Sequence, residues 1–377
     1  MKISTIALSA SLITIQSHMG TSYTTTQMIA TPILSFPVAT QNENCYKRTM
    51  KFRIFPSLLS AALILSISTG CIISHCTTPG DETAPASTVR PGLERELKKD
   101  VRYLAKTCHP RPAGYEKNQA KAVEYIARSL ADSGAKVTYQ PFSADKRPFV
   151  NVSAVFPGKS AKRVIVGAHY DTCGDTPGAD DNASGVAGLL ALGRMLKGIS
   201  PQYTIELIAY ANEEPPYFAT EHMGSAQHAR KLYTEQIGVK AMICLEMIGY
   251  FSDKENSQTY PGPGMGTLYP DKGNFIAIVG NWNSVRLGRD IQKSMRPFLP
   301  TVRLNLPQIK GMCMDFSDHR NFWAKDMPAV MITDTSFFRN PNYHQPGDLP
   351  ETLDYRRMAQ VVCGVHQAVL HLAAEEK

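Results

Sequence analysis

The sequence predicts an α/β fold, a three-layer sandwich in which a largely parallel, mixed sheet is flanked by helices. Three observations carry this. Short apolar runs bounded by loops recur between residues 137 and 333, and segments with helically spaced apolar residues fall between them. Third, His169, Glu213, Glu214 and Glu246 stand at or near the carboxyl ends of such runs, where ligands of open α/β sheets gather.

Each element follows from a local pattern. Tyr115 to Ala131 sets Val123, Ile126, Ala127 and Leu130 on one helical face, and Gly134 ends the helix. Val137 to Phe142 and Phe149 to Phe156 read as strands joined by a polar turn. Arg163 to Ala168 is a compact apolar run, the mark of a strand covered on both faces. Asn182 to Leu196 reads as a helix whose Gly185, Ala187 and Gly188 permit close packing. Tyr203 to Ala211 alternates Ile205, Leu207 and Ala209 against Thr204, Glu206 and Ile208. Lys240 to Leu245, Phe275 to Val279 and Ala329 to Thr333 complete the strands. Ser284 to Met295 and Asp354 to Leu372 are helices, the latter carrying Met358, Val361, Val362, Val365, Val369 and Leu370. No internal repeat is visible.

With 377 residues and 43% hydrophobic content the chain can build a full core. Residues 1–76 differ in kind. They hold five of the 40 basic residues and one of the 33 acidic ones, so the remainder is nearly balanced and gives no electrostatic case for nucleic acid. Residues 1–49 are Ser/Thr-rich and read as disordered. Met50-Lys-Phe-Arg53 is positive, Ile54 to Thr69 is mostly apolar, and Gly70 and Cys71 follow, the layout of a secretory signal. A glycine before a cysteine also resembles a bacterial lipoprotein cleavage site, although Ser68 stands where leucine is usual. The expectation is an exported protein of a bacterium, periplasmic or attached to the membrane through a lipidated Cys71. Residues 77–91, rich in Thr, Pro, Ala and Ser, read as a tether, and 92–377 as the catalytic domain. The other candidate thiols, Cys76, Cys108, Cys173, Cys244, Cys313 and Cys363, show no CxxC spacing. Cys244 and Cys363 sit in apolar patterns and read as buried thiols. The sequence sets no oligomeric state.

The chemistry rests on five clusters: His169-Tyr-Asp171, Gly178-Ala-Asp180-Asp181-Asn-Ala-Ser-Gly185, Glu213-Glu214, Leu245-Glu246 and Tyr343-His344-Gln-Pro-Gly-Asp348. Zinc takes imidazole nitrogen and carboxylate oxygen, and a two-metal site needs one carboxylate that binds both ions. Asp181 is the candidate bridge, because the surrounding glycines let the backbone approach. His169 and Glu246 complete one metal, Glu214 and His344 the other. Glu213, beside a ligand, is then free to act as general base. Asp171 shares a side with His169 in an extended segment and is placed to hold the imidazole's other nitrogen. Asp180, Met247, Asp318, His319 and Tyr343 are candidates for the pocket wall or the layer behind the ligands. The Pro215-Pro216-Tyr217-Phe218 run is expected to form a rigid pocket edge.

The series HxD, DDNASG, NEE, LE and YHxxxD resembles the M28 family of co-catalytic zinc aminopeptidases over roughly residues 100–372. The resemblance implies a zinc-peptidase, phosphorylase/hydrolase-like fold, with two zinc ions on His169, Asp181, Glu246 and on Asp181, Glu214, His344. Glu213 would be the base and peptides the substrates. It also implies a non-proline cis peptide joining Asp180 and Asp181. Glu246 stands where the family more often has aspartate, one methylene shorter. Other functions compatible with these residues are a one-zinc glutaminyl cyclase-like transferase, a carboxypeptidase or dipeptidase of the same fold, and a non-catalytic peptide-binding lipoprotein.

Overall fold

A computed structural model describes residues 88–262, 264–305 and 313–374. The leader, Cys71, Cys76 and most of the expected tether lie outside the described residues. The chain enters through helix α1 (Leu93–Arg102) and helix α2 (Glu116–Ala131). Strands β1 (Lys136–Ala144), β2 (Arg147–Phe156) and β3 (Ser160–His169) follow, then α3 (Gly185–Met195), β4 (Tyr203–Tyr210), α4 (Gly224–Thr234) and β5 (Val239–Glu246). The rest is β6 (Ile276–Gly280), α5 (Val285–Met295), β7 (Thr301–Asn305), α6 (His319–Trp323), β8 (Ala329–Thr333) and α7 (Tyr355–Ala373).

The strands form one eight-stranded sheet in the order β1-β2-β4-β3-β5-β8-β6-β7. Its four central strands, β4, β3, β5 and β8, run parallel. β2 joins β4 antiparallel, and β6 joins β8 antiparallel. The expected parallel sheet is therefore the centre of a mixed one.

The central strands are covered on both faces. In β3, Val164, Val166 and Ala168 enter one core and Ile165 the other; in β5, Ala241, Ile243 and Leu245 oppose Met242 and Cys244. That two-sided burial accounts for the unbroken apolar runs in the sequence. The larger core packs α1, α3, α5 and α7 together, and α4 and α6 meet on the other side.

Four elements extend the sequence expectation. α1 is amphipathic, burying Leu93, Leu97 and Val101, but its dense charge left no apolar run to mark it as a helix within the expected catalytic domain. α4 and the short α6 carry few apolar residues, and β7 is a five-residue edge strand. The expected helix from Asn182 starts three residues later. Asp181 and Asn182 have non-helical backbones, because Asn182 works as a cap: its Oδ1 accepts the Gly185 N–H at 3.0 Å.

Candidate metal centre and its pocket

Parallel neighbours deliver their carboxyl ends to one edge. β3 ends at His169, β5 at Glu246, and Glu213 and Glu214 follow β4 closely. His344 lies in the loop after β8. The loop carrying Asp181 is tucked against this edge, and its glycines are what allow it. Gly178 has φ +59°, and a Cβ there would collide with the Asp181 carbonyl oxygen and Thr172. A Cβ on Gly185 would stand 2.6 Å from the Leu245 carbonyl oxygen.

Asp181 is the shared group. Its Oδ1 lies 3.4 Å from His169 Nε2 and its Oδ2 lies 3.1 Å from His344 Nε2. Glu246 Oε2 stands 3.3 Å from His169 Nε2, and Glu214 Oε2 stands 3.3 Å from His344 Nε2. Glu246 thus reaches the imidazole despite its extra methylene, and the Ser317 hydroxyl donates to its Oε2 at 2.6 Å. Glu213 Oε2 is 3.9 Å from His169 Nε2. The six side chains expected from sequence converge, in two groups that meet at Asp181.

The donor set suits cations. His169 is fully buried, yet neither ring nitrogen has a hydrogen bond in good geometry, and Glu214 Oε1 is likewise buried without one. Burial, with Asp181 nearby, raises the Glu214 carboxyl to about 7. Burial and the neighbouring Glu214, Glu246 and Asp318 push Glu213 well above its ordinary value, against the pull of His169. Burial disfavours charged imidazole at His169, but Glu246, Asp171 and Asp181 outweigh it and hold the ring well above its usual range. Four acids crowded around two imidazoles hold on to protons without a cation between them, and bound divalent cations would reverse that preference. His169, Asp181 and Glu246 could hold one metal ion; Glu214 and His344, with Asp181, could hold a second.

A further layer fixes these groups. Asp171 accepts the Glu213 and Glu214 N–H groups at 3.1 and 3.0 Å, while its contact with His169 Nδ1 is a longer 3.5 Å. Its main work is therefore on the two glutamates, with the imidazole second. Asp180 turns away from the centre, its Oδ2 accepting from Asn340 at 2.8 Å and its Oδ1 from the Gly249 N–H at 3.0 Å. Tyr343 stacks on the His344 ring at 3.8 Å and lines the pocket.

Three expectations are corrected. The non-proline cis peptide joins Asp181 to Asn182, one bond later than expected. The N–H groups of Asp180 and Asp181 point together at Asp348, and the chain changes direction only after them, where the Asn182 amide turns to the Leu245 carbonyl at 2.8 Å. Met247 is not a pocket wall. It is fully buried with φ +51°, because the chain folds back directly after Glu246 and the Met247 N–H donates to Asn182 Oδ1 at 3.1 Å. His319 also lies off the pocket. Its ring packs edge-on against Trp323 at 4.5 Å and its Nε2 meets the Met314 carbonyl at 2.8 Å; burial lowers it to about 4. Asp318 does lie behind the centre, fully buried and raised by that burial to about 7, with His169 pulling the other way.

Two residues escaped the sequence reading. Arg111 is fully buried beneath the loops, donating to the carbonyls of Tyr170, Leu104, Pro177 and Gly178 at 2.6–3.1 Å; nothing in a His-Pro-Arg-Pro string marks such a contact. Cys173 lies beside Glu214 and His344, and its spacing of two from Asp171 was the available signal.

Against the metal groups opens a cavity of about 220 Å³. Asp181, Glu213, Glu214, Glu246 and His344 form its polar wall. Ala277, Val279 and Met331 of the sheet, with Tyr260, Phe316 and Phe338, supply apolar lining. Pro215 and Phe218 border it as expected, Phe218 meeting Phe316 edge-on at 5.8 Å.

The model of peptidase family M28 matches residues 151–369. The chain belongs to peptidase family M28. This M28 peptidase is 46% identical to the uncharacterized protein YfbL of Escherichia coli over 290 residues, 74% of this chain and 88% of that one. It is 30% identical to a probable leucine aminopeptidase of Arthroderma benhamiae over 305 residues, 74% of this chain and 73% of the other. Among solved structures, a zinc aminopeptidase from Bacillus subtilis shares the fold at TM-score 0.58 and 16% identity, covering 75% of this chain and 96% of its own. A glutaminyl cyclase from Fimbriiglobus ruber does so at TM-score 0.57 and 18% identity, covering 77% and 99%. Both likenesses concern the fold.

Proposed function

We propose that this M28 peptidase is an aminopeptidase that removes a bulky apolar residue from the N-terminus of peptides, using two zinc ions. His169, Asp181 and Glu246 would hold one ion, and Asp181, Glu214 and His344 the other. Zinc, when bound, polarises the scissile carbonyl and makes water a stronger acid. The chain's own groups do the rest. Glu213, not needed as a ligand, accepts the water's proton and delivers it to the leaving amine. Asp171 holds the backbone of both glutamates, so base and ligand keep their relative positions. The cavity takes the side chain at the cleaved end, and its aromatic and methionine lining favours apolar ones. A volume of about 220 Å³ suits one large side chain, below the ~300 Å³ at which pockets for larger ligands begin.

The observation that carries this reading is the convergence of two imidazoles and two glutamates on the oxygens of Asp181, directly against an apolar cavity. The leucine aminopeptidase relative supports the substrate class. The test compares a leucyl peptide, its N-acetylated form and its C-amidated form. Cleavage of the first and third with the second untouched is expected; cleavage only with a free carboxyl end means a carboxypeptidase. Conversion of an N-terminal glutamine peptide to pyroglutamate, without hydrolysis, means a cyclase.

We further infer export, with lipid on Cys71, from the Met50 to Cys71 pattern. Cys71→Ser should abolish incorporation of labelled fatty acid; undiminished labelling contradicts it.

A further inference from the structure

We propose that Cys173 supplies a thiolate to the metal held by Glu214 and His344, which makes the two metal positions chemically unequal. This rests on the two-metal reading above. Donor atoms of Cys173, Glu214 and His344 all lie within 4.8 Å of one another. Cys173 is 5% exposed and Glu214 3% exposed. The Glu214 Oε2 stands 3.3 Å from His344 Nε2, and the same carboxyl's Oε1 is buried with no hydrogen bond. A buried carboxyl left with an unmatched oxygen is costly in an apolar setting, and a cation held with the sulfur and the imidazole offsets that cost.

Placement explains why the sulfur is there. His169, Asp171 and Cys173 follow one another at two-residue steps as the chain leaves β3. The Thr172 side chain turns back to the Arg111 N–H at 3.2 Å. With Asp181 Oδ2 at 3.1 Å from His344 Nε2, this position is offered nitrogen, sulfur and two carboxylate oxygens. That is the full tetrahedral set that zinc takes in closed sites. The position served by His169, Asp181 and Glu246 is offered three donors, the number that leaves room for a reacting water. On binding, the sulfur–metal bond forms, the S–H bond breaks and the proton leaves to solvent. A thiolate also biases the second position towards zinc and cobalt and away from manganese and magnesium.

The test is cobalt substitution of the full chain, with metal counted per chain. Protein holding two cobalt ions should show a strong near-ultraviolet sulfur-to-cobalt charge-transfer band. Cys173→Ser should lose the band, whereas Cys244→Ser, a thiol on the far side of Ser317, should keep it. Removing even a supporting group behind a ligand weakens metal binding about 10–100-fold, and losing a ligand should cost no less, so the second cobalt of Cys173→Ser should yield to chelator at a concentration at least about tenfold lower. If Cys173→Ser does not fold, X-ray absorption on zinc-loaded Cys244→Ser protein decides, with a sulfur scatterer near 2.3 Å expected. Two cobalt ions without the band, a band surviving in Cys173→Ser, or no sulfur scatterer overturns the proposal and leaves the two-metal reading standing. One cobalt per chain contradicts both.

Discussion

The Asp348 carboxylate accepts the main-chain N–H of Asp181 at 3.0 Å across 167 residues of sequence. Its other oxygen takes the N–H of Asp180 at 2.9 Å. The loop carrying the shared carboxylate is thereby pinned to the loop carrying His344, four residues before Asp348. An asparagine keeps one acceptor and turns an amide towards the other N–H. Asp348→Asn should therefore leave the fold intact and weaken metal retention by about 10–100-fold, the range for groups supporting ligands. Chelator competition followed by metal counting checks it; unchanged affinity would show that the pin is dispensable.

Glu213 is assigned the proton transfer, so its amide should lose chemistry and keep binding. Glu213→Gln is expected to lower kcat by about 10²–10⁴-fold with little change in KM and an unaltered metal count. A kcat within a few-fold of the parent enzyme would remove Glu213 from the reaction.

The apolar cavity sets preference if it receives the side chain at the cleaved end. Val279 lies on β6, in the cavity wall and 6% exposed. Val279→Phe fills that space and should cut kcat/KM for leucyl and phenylalanyl peptides by at least about tenfold relative to alanyl ones, since pockets resolve a methylene by roughly 10–200-fold. Equal losses on all three would place the specificity elsewhere. The variant's stability is expected to fall by about 1–3 kcal/mol from overpacking.

Acid stability should report Glu206, in the middle of β4. Burial alone would raise its carboxyl, but His228 and Arg163 outweigh that and lower it from 4.5 to about 2. A depressed carboxyl stabilises the fold above the unfolded value, and the gain is lost as pH falls through the folded one. The window is therefore pH 4.5 down to about 2, and the loss there amounts to roughly 3 kcal/mol at 1.36 kcal/mol per unit. Denaturant titrations across the window should show this component in the parent and not in Glu206→Gln. Parallel curves would deny it.

The centre was legible because parallel strands send their carboxyl ends to one edge, so His169, Glu214 and Glu246 each stand at or just past an apolar run, while Asp181 was marked by its glycine-rich loop and His344 by its motif. The central strands were legible for the same reason. Elements whose fit depends on partners far away in the chain were not. Met247 looked like pocket wall from its place beside Glu246, yet a positive φ and the Asn182 side chain turn it inward. His319 looked functional by its motif, yet its ring packs edge-on against Trp323 and its Nε2 is taken by the Met314 carbonyl. Arg111 and Asp348 act on main-chain groups, which carry no residue-type signal. The cavity's apolar lining comes largely from β6, β7, β8 and loops between residues 258 and 338, and no local pattern links them.

Two metal ions sharing Asp181 are the heart of the proposed reaction. The most direct measurement is zinc titration of the chelated protein with hydrolysis of a leucyl peptide as readout. Activity should vanish on chelation, return on adding zinc and reach its plateau at two equivalents per chain. Full activity in the metal-free protein, or a plateau at one equivalent with no second ion bound, would contradict the account.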